Sequence, residues 1–278
     1  MTSVTLWGVR GSLATPGPET ARWGGNTSCV EVLGPKGTRL VLDAGTGIHR
    51  LGNTLPEDLP RVDVLLTHLH LDHIQGLGFF APLYRADAEV HVWGPASITQ
   101  TLRTRLARYL SPPLFPVHLR DLPCQLHLHE VPDGAAQIGE VRVLASLVCH
   151  PGPTVGYRIE GPDGVLTYLP DHEPALGRSA LERDPSWVSG HDLARQADLL
   201  LHDAQYTRSE YDAHVGWGHS RIDDALAFAE LCRARRLIPF HHAPDHNDDD
   251  LDGLLAAANA AGPPCPLLAG REGTTFQI

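Results

Sequence analysis

Residues 62–76, Val-Asp-Val-Leu-Leu-Thr-His-Leu-His-Leu-Asp-His-Ile-Gln-Gly, constrain this chain more than any other stretch. The apolar run at 62–66 reads as a buried parallel strand, so Thr67 opens the loop at its carboxyl end, where open α/β sheets place ligand crevices. His68, His70, Asp72 and His73 then follow within six residues. His68 and His70 point the same way in extended chain, and a curl at Asp72-His73 turns further donors towards a neighbouring position. Neutral imidazole and carboxylate suit zinc, manganese or iron, and two such ions about 3.5 to 4 Å apart can clamp a hydroxide for hydrolysis. A histidine-rich surface loop without metal is the bland alternative, and the density of donors argues against it.

The rest of the composition narrows the setting. At 278 residues with 42% apolar content, one α/β domain spanning 1–278 is expected. With 22 basic against 33 acidic residues and a formal charge of −11, broad attraction to nucleic acid or anionic membranes is disfavoured. Cys29, Cys124, Cys149, Cys232 and Cys265 are scattered and form no Cys-x-x-Cys pair, so reduced thiols are expected. No basic segment precedes a long apolar one, and no run approaches the roughly 20 apolar residues of a membrane span, so a cytoplasmic protein is expected. A homo-oligomer is compatible with all of this.

Further strands are expected at 4–9, 28–32, 38–42, 90–93, 125–129, 141–148, 165–169, 197–202 and 237–240, with an edge strand at 274–278. Helices are expected at 74–84, 97–110 and 222–235. Several strand ends carry polar residues with two readings each. Asp43 before glycines is either a turn former or a partner of the 67–73 loop. His150 before Pro151-Gly152 is either a turn residue or a donor. Asp171 can bridge two cations with its two oxygens, with His172 and Glu173 as nearby alternatives. In the 237–246 segment His241, His242 and His246 compete for one place. Ser220 is explained by capping the following helix, which leaves His219 unexplained. Asp248, Asp249 and Asp250 read as a solvated, helix-initiating turn. Arg103, Arg105 and Arg108 read as the solvated face of an amphipathic helix rather than an anion patch. His127 and His129, which lack the Asp-His that follows His68-x-His70, read as strand histidines without a metal role. Residues 174–196 look like an insertion, and Trp187, Arg183 and His191 are candidates to line a pocket there.

The His68-x-His70-x-Asp72-His73 motif resembles the signature of the metallo-β-lactamase superfamily. That resemblance implies an α/β fold, a four-layer αββα sandwich with a metal site at the edge shared by two sheets. Gly25-Asn26-Thr27-Ser28 resembles a segment of phosphodiesterase-like members. His202-Asp203-Ala204-Gln205 and Gly218-His219-Ser220-Arg221 resemble the His-Glu-Ala-Thr and Gly-His-Ser-Thr segments of ribonuclease Z-like enzymes. They depart by Asp for Glu and Arg for the last Thr, which shortens the reach of Asp203 towards His219.

By this resemblance His68, His70 and His150 hold one divalent ion, Asp72, His73 and His241 hold a second, and Asp171 bridges them. The ions are expected to be zinc, with manganese or iron as alternatives. Asp43 is implied to fix the ligand loop. Asp72, His219 and Asp203 form the implied catalytic set: His219 protonates or hydrogen-bonds the substrate, Asp203 orients it, and Asp72 serves the ion. The function expected is a binuclear phosphodiesterase that attacks a small or cyclic phosphodiester with a hydroxide lying between the metals. The runner-up is a transfer-RNA 3′-processing endoribonuclease, which needs a basic groove from Arg103, Arg105, Arg108 and Arg120, and the chain has no Gly- and Lys-rich arm. A thioester or lactam hydrolase would share the metals without needing His219, and a metal-loaded sensor would share them without turnover.

Overall fold

The computed structural model describes residues 1–131, 134–178, 180–182 and 184–278. Its first sheet contains β1 (Ser3–Gly8), β2 (Cys29–Leu33), β3 (Arg39–Leu42), β4 (Arg61–Leu65), β5 (Glu89–Pro95) and β6 (Gln125–Val131). The second contains β7 (Gly134–Ile138), β8 (Val141–Leu147), β9 (Val155–Glu160), β10 (Val165–Leu169), β11 (Leu199–Asp203) and β12 (Leu237–Phe240), and β13 (Thr275–Gln277) returns to the first. The orders are β13-β1-β2-β3-β4-β5-β6 and β12-β11-β10-β9-β8-β7. Helices are α1 (Gly47–Gly52), α2 (Leu71–Ile74), α3 (Leu102–Tyr109), α4 (His191–Ala194), α5 (Arg208–Tyr211), α6 (Ile222–Cys232) and α7 (Asp248–Ala260).

Period-two alternation sorts the strand side chains into layers. Val62 and Val64 of β4 pack outward with Ile48, Leu102 and Leu106 of the helices, whereas Leu65 faces inward. Leu166 and Tyr168 of β10 and Leu199 and Leu201 of β11 meet Leu6, Val30 and Leu42 between the sheets. Leu169 and Leu200 face the far side, against Leu193, Phe228 and Ala229 of α4 and α6. Each such side chain contributes roughly 1.5 to 3 kcal/mol on burial. Helix, sheet, sheet, helix is therefore the layering, an αββα sandwich.

Connectivity places the strand ends. β3 to β6 run parallel, β10 to β12 run parallel, and two antiparallel steps through β9 bring β8 into the direction of β10. The carboxyl ends of β4, β8, β10 and β12 therefore open on one edge. Hydrogen bonds across the sandwich fix that edge: Tyr157 Oη donates to Leu66 O at 2.7 Å and Val155 N to Thr67 O at 2.9 Å.

Some expected elements differ. The helix expected at 74–84 is α2 followed by two 3₁₀ turns, Leu77–Phe79 and Ala81–Tyr84. Gly76 sits so close to the Gly45 carbonyl that a Cβ would lie 2.1 Å from it, and Pro82 carries no amide hydrogen to continue a ladder. The helix expected at 97–110 begins only at Leu102, because the Thr101 hydroxyl caps it by accepting from Thr104 N. Asp248 is not solvated: it is buried and accepts from Arg22 N and Trp23 N, while Asn247 caps α7. β13 pairs with β1 as the expected edge strand.

Candidate metal centre

Extended backbone after β4 carries His68 and His70, and the chain then turns into α2, whose first turn holds Asp72 and His73. His150 follows β8, Asp171 follows β10, and His241 leaves β12 in the left-handed region with φ 61°. These side chains converge as two donor sets, His68, His70, His150 and Asp171 on one side and Asp72, His73 and His241 on the other, the donor atoms of each set lying within 4.8 Å of one another. Asp171 stands between them. Its Oδ2 is 3.6 Å from His68 Nε2 and 3.7 Å from His150 Nε2, and its Oδ1 is 3.0 Å from His73 Nε2 and 3.3 Å from His241 Nε2. His172, Glu173, His242 and His246 do not join them. His172 bonds His202 and Ser189, His242 packs edge-on against Trp23 at 5.1 Å, and His246 lies 2.9 Å from Glu210.

The opposite ring nitrogens are tied down by the protein. His73 Nδ1 lies 2.8 Å from Asp43 Oδ2, His150 Nδ1 2.9 Å from Gly218 O, His241 Nδ1 2.8 Å from Gln205 Oε1, and His68 Nδ1 3.1 Å from Thr67 Oγ1. Such contacts fix the ring orientations, and in the neutral His68 and His150 they leave the inward nitrogens as lone-pair donors. Asp43, itself at φ 58°, also accepts from Thr67 N at 2.7 Å and Tyr168 Oη at 3.0 Å, so it organises the ligand loop. Asp72 Oδ2 accepts from Ser12 N at 2.7 Å.

The residues fit a pair of cations on electrostatic grounds. His68 Nε2 is buried without a hydrogen-bond partner, which costs about 1–3 kcal/mol unless an ion takes it up. Burial pushes His68, His70 and His150 below the ordinary imidazole value, the neutral form that ligates metal. Burial acts the same way on His73, but Asp171, Asp72 and Asp43 overcome it and hold that ring's pKa well up. The negative cluster thus draws positive charge to itself. Imidazole with carboxylate, and no thiolate, suits zinc, manganese or iron.

His219 leans over the same cavity. Its ring stacks on His241 at 4.9 Å and meets His150 edge-on at 5.1 Å. Its Nδ1 is 2.7 Å from Asp203 Oδ2, so an aspartate reaches far enough here. Burial would lower this imidazole, but Asp203, with Asp171 and Asp72 beyond, raises it to about 9. Asp203 also accepts from Gln205 N, Ser220 N and His172 N, which fixes its carboxylate.

Sequence reasoning missed several supports. The buried Glu173 accepts from Tyr211 Oη at 2.7 Å and from Gly216 N and Gly218 N, pinning the loop that delivers His219. Gly218, at φ 90°, has no room for a Cβ, which would fall 2.2 Å from His150 Nδ1. Buried Arg10 donates to Gly24 O, Ala243 O and His246 O, joining the Gly25–Ser28 turn to the segment after His241. Within residues 174–196, Ser189 Oγ accepts from Cys149 N at 3.1 Å and braces the strand end before His150. Trp187 is exposed, His191 contacts Asp192, and Arg183 lies outside the described residues.

Beside His68 and His70 opens a cleft of about 380 Å³, lined also by Ser97, Thr99, Arg105, Arg108 and Pro151. The arginines of α3 therefore divide. Arg103 is exposed, Arg105 is half-buried with Nη2 on Pro95 O, and Arg108 stands at the cleft. Arg120 pairs with Asp121 at the surface. Among the described residues, no helix is long and apolar enough to cross a membrane.

The family of β-lactamase superfamily domains matches residues 38–242. Ribonuclease BN of Cronobacter sakazakii is 26% identical over 292 residues, covering 88% of this chain and 92% of that protein. The crystal structure of the metallo-β-lactamase fold protein YhfI of Bacillus subtilis superposes with a TM-score of 0.70 at 18% identity, covering all of both chains. That of a diphosphatase from the PhnP family superposes with a TM-score of 0.69 at 17% identity over 100% of this chain and 97% of its own.

Proposed function

The chain belongs to the β-lactamase superfamily domain family, a hydrolase superfamily, and from that premise we propose that it is a binuclear metal-dependent phosphodiesterase acting on small or cyclic phosphodiesters. The observation that carries this reading is Asp171, with one oxygen turned to the His68 and His150 imidazoles and the other to His73 and His241, beneath a histidine held up by Asp203. In this reading His68, His70, His150 and Asp171 hold one ion, and Asp72, His73, His241 and Asp171 hold the other. Zinc is the first choice, and manganese or iron the alternatives. Two such ions, when bound, lower the pKa of water towards 7 and neutralise charge on phosphoryl oxygens. The chain's own groups do the rest. Asp43, Gly218 O and Gln205 hold the ligand imidazoles in orientation. Asp203 accepts the Nδ1–H hydrogen bond of His219 and favours its protonated form, so that Nε2–H can donate a proton or hydrogen bond to the phosphoryl or leaving oxygen.

The cleft beside His70 supports a small substrate: at about 380 Å³ it accommodates a group of nucleotide size, with Arg105 and Arg108 at its wall to meet negative charge. The relative named ribonuclease BN favours a second reading, action on RNA, which the resemblance to ribonuclease Z-like enzymes narrows to transfer-RNA 3′ processing. Against it stand the formal charge of −11 and the pairing of Arg120 with Asp121. The two are separated by assaying zinc- or manganese-loaded protein on cyclic nucleotides, bis(p-nitrophenyl) phosphate and precursor transfer RNA. Turnover of the small diesters with precursor left intact is expected. Cleavage of the precursor with the small diesters untouched would replace the first reading by the second.

A further inference from the structure

We infer that Glu89, His91 and His127 form a separate binding site for a divalent transition-metal ion on the β5–β6 edge. This inference stands independently of the phosphodiesterase reading and shares no residue with that centre. Parallel pairing sets His91 beside His127 and Trp93 beside His129, and alternation puts Glu89, His91 and Trp93 on one face with both histidines of β6. The site lies towards the start of β5, whereas the centre described above gathers at the carboxyl ends.

The donors converge on one point. Glu89 Oε1 is 2.6 Å from His91 Nε2 and 3.9 Å from His127 Nε2, and one donor atom from each residue lies within 4.8 Å of the others. The two imidazoles stack at 4.6 Å with planes 19° apart, so both present Nε2 to the same carboxylate. A ligating imidazole needs its other nitrogen held, and that support is built in. His91 Nδ1 is 2.8 Å from His129 Nε2, His129 stacks on Trp93 at 4.0 Å, and Trp93 Nε1 donates to Asp63 Oδ1 at 2.9 Å. With a cation on His91 Nε2, the single proton of that ring sits on Nδ1 and is donated to His129. The neighbouring guanidinium of Arg61 is taken by both oxygens of Asp63 at 2.8 and 2.9 Å, which offsets its repulsion. The side chains of His127 and Glu89 are 47% and 39% exposed, leaving remaining coordination positions to water and the ion free to exchange. Two imidazoles and one carboxylate suit zinc, nickel or copper and not magnesium or calcium.

Equilibrium dialysis against zinc, followed by metal analysis, tests this in the full chain. The double variant Glu89→Gln/His127→Ala should bind one zinc fewer per chain than the unmodified protein, with an unchanged far-ultraviolet circular dichroism spectrum and unfolding midpoint as the check on folding. In the unmodified protein, zinc should also protect His127 from diethyl pyrocarbonate, read by mass spectrometry. Equal zinc contents in the two proteins, or His127 labelling that zinc leaves unchanged, would overturn the assignment.

Discussion

At the scale of residues, some side chains face the cavity and others only hold those that do. His219 belongs to the first kind, and His219→Ala should lower phosphodiester turnover by about 10²- to 10⁴-fold while zinc content at the centre is unchanged. A thioester or lactam hydrolase would keep its rate, so retention of full turnover in that variant would remove the role assigned here. Asp43 belongs to the second kind: it touches His73 and Thr67 without entering the donor set. Asp43→Ala should weaken metal binding by about 10- to 100-fold, measured by chelator competition. His68, His70, Asp72 and His73 were legible because they sit in one short stretch after an apolar strand. The choice of His241 over His242 and His246 came from the resemblance and not from the residues themselves, since it depends on a left-handed turn directly after β12 that sequence does not display. Glu89 shows the same blindness, because its histidine partner His127 comes from a strand 36 residues away that only parallel pairing brings alongside.

At the scale of elements, the strands were read well because alternation and apolar runs are strong signals, and the helices less well because caps and close contacts decided their ends. Thr101 delays α3, and Gly76 stops α2 against the Gly45 carbonyl. The departure of Asp203 from the glutamate of the resembling motif leaves the contact in place, since β11 brings its carboxylate to 2.7 Å from His219. A tie between the sheets also emerges at this scale. Glu140, in the β7–β8 turn, accepts from Lys36 N at 2.9 Å and from the Thr38 hydroxyl of the β2–β3 turn. Burial would raise its pKa, but these bonds hold it below 4.5. A carboxylate depressed in the fold adds stability above its unfolded value and loses it as pH falls through the folded value. Glu140→Gln should therefore cost about 0.5–1.5 kcal/mol in denaturant unfolding near neutral pH, and the difference should shrink below pH 4.5. A difference that grew on acidification would contradict the bond assignments.

At the scale of the molecule, the two sheets share the layer of Leu6, Val30, Tyr157, Leu166 and Phe240, and the centre is assembled from both. We propose that residues 1–278 are one folding unit, which predicts a single unfolding transition by calorimetry. Two separable transitions would show two domains instead. Ions bound only by the folded chain stabilise it by about 2.7 kcal/mol at 100 times the dissociation constant, so chelation should lower the midpoint by roughly 5–10 °C. The central claim is that strand ends from both sheets hold two ions on either side of Asp171. X-ray absorption at the zinc edge, on loaded protein that hydrolyses bis(p-nitrophenyl) phosphate, tests it most directly. The account predicts nitrogen and oxygen ligands with a metal–metal distance of about 3.5 to 4 Å. Active protein with no metal–metal scattering would contradict it.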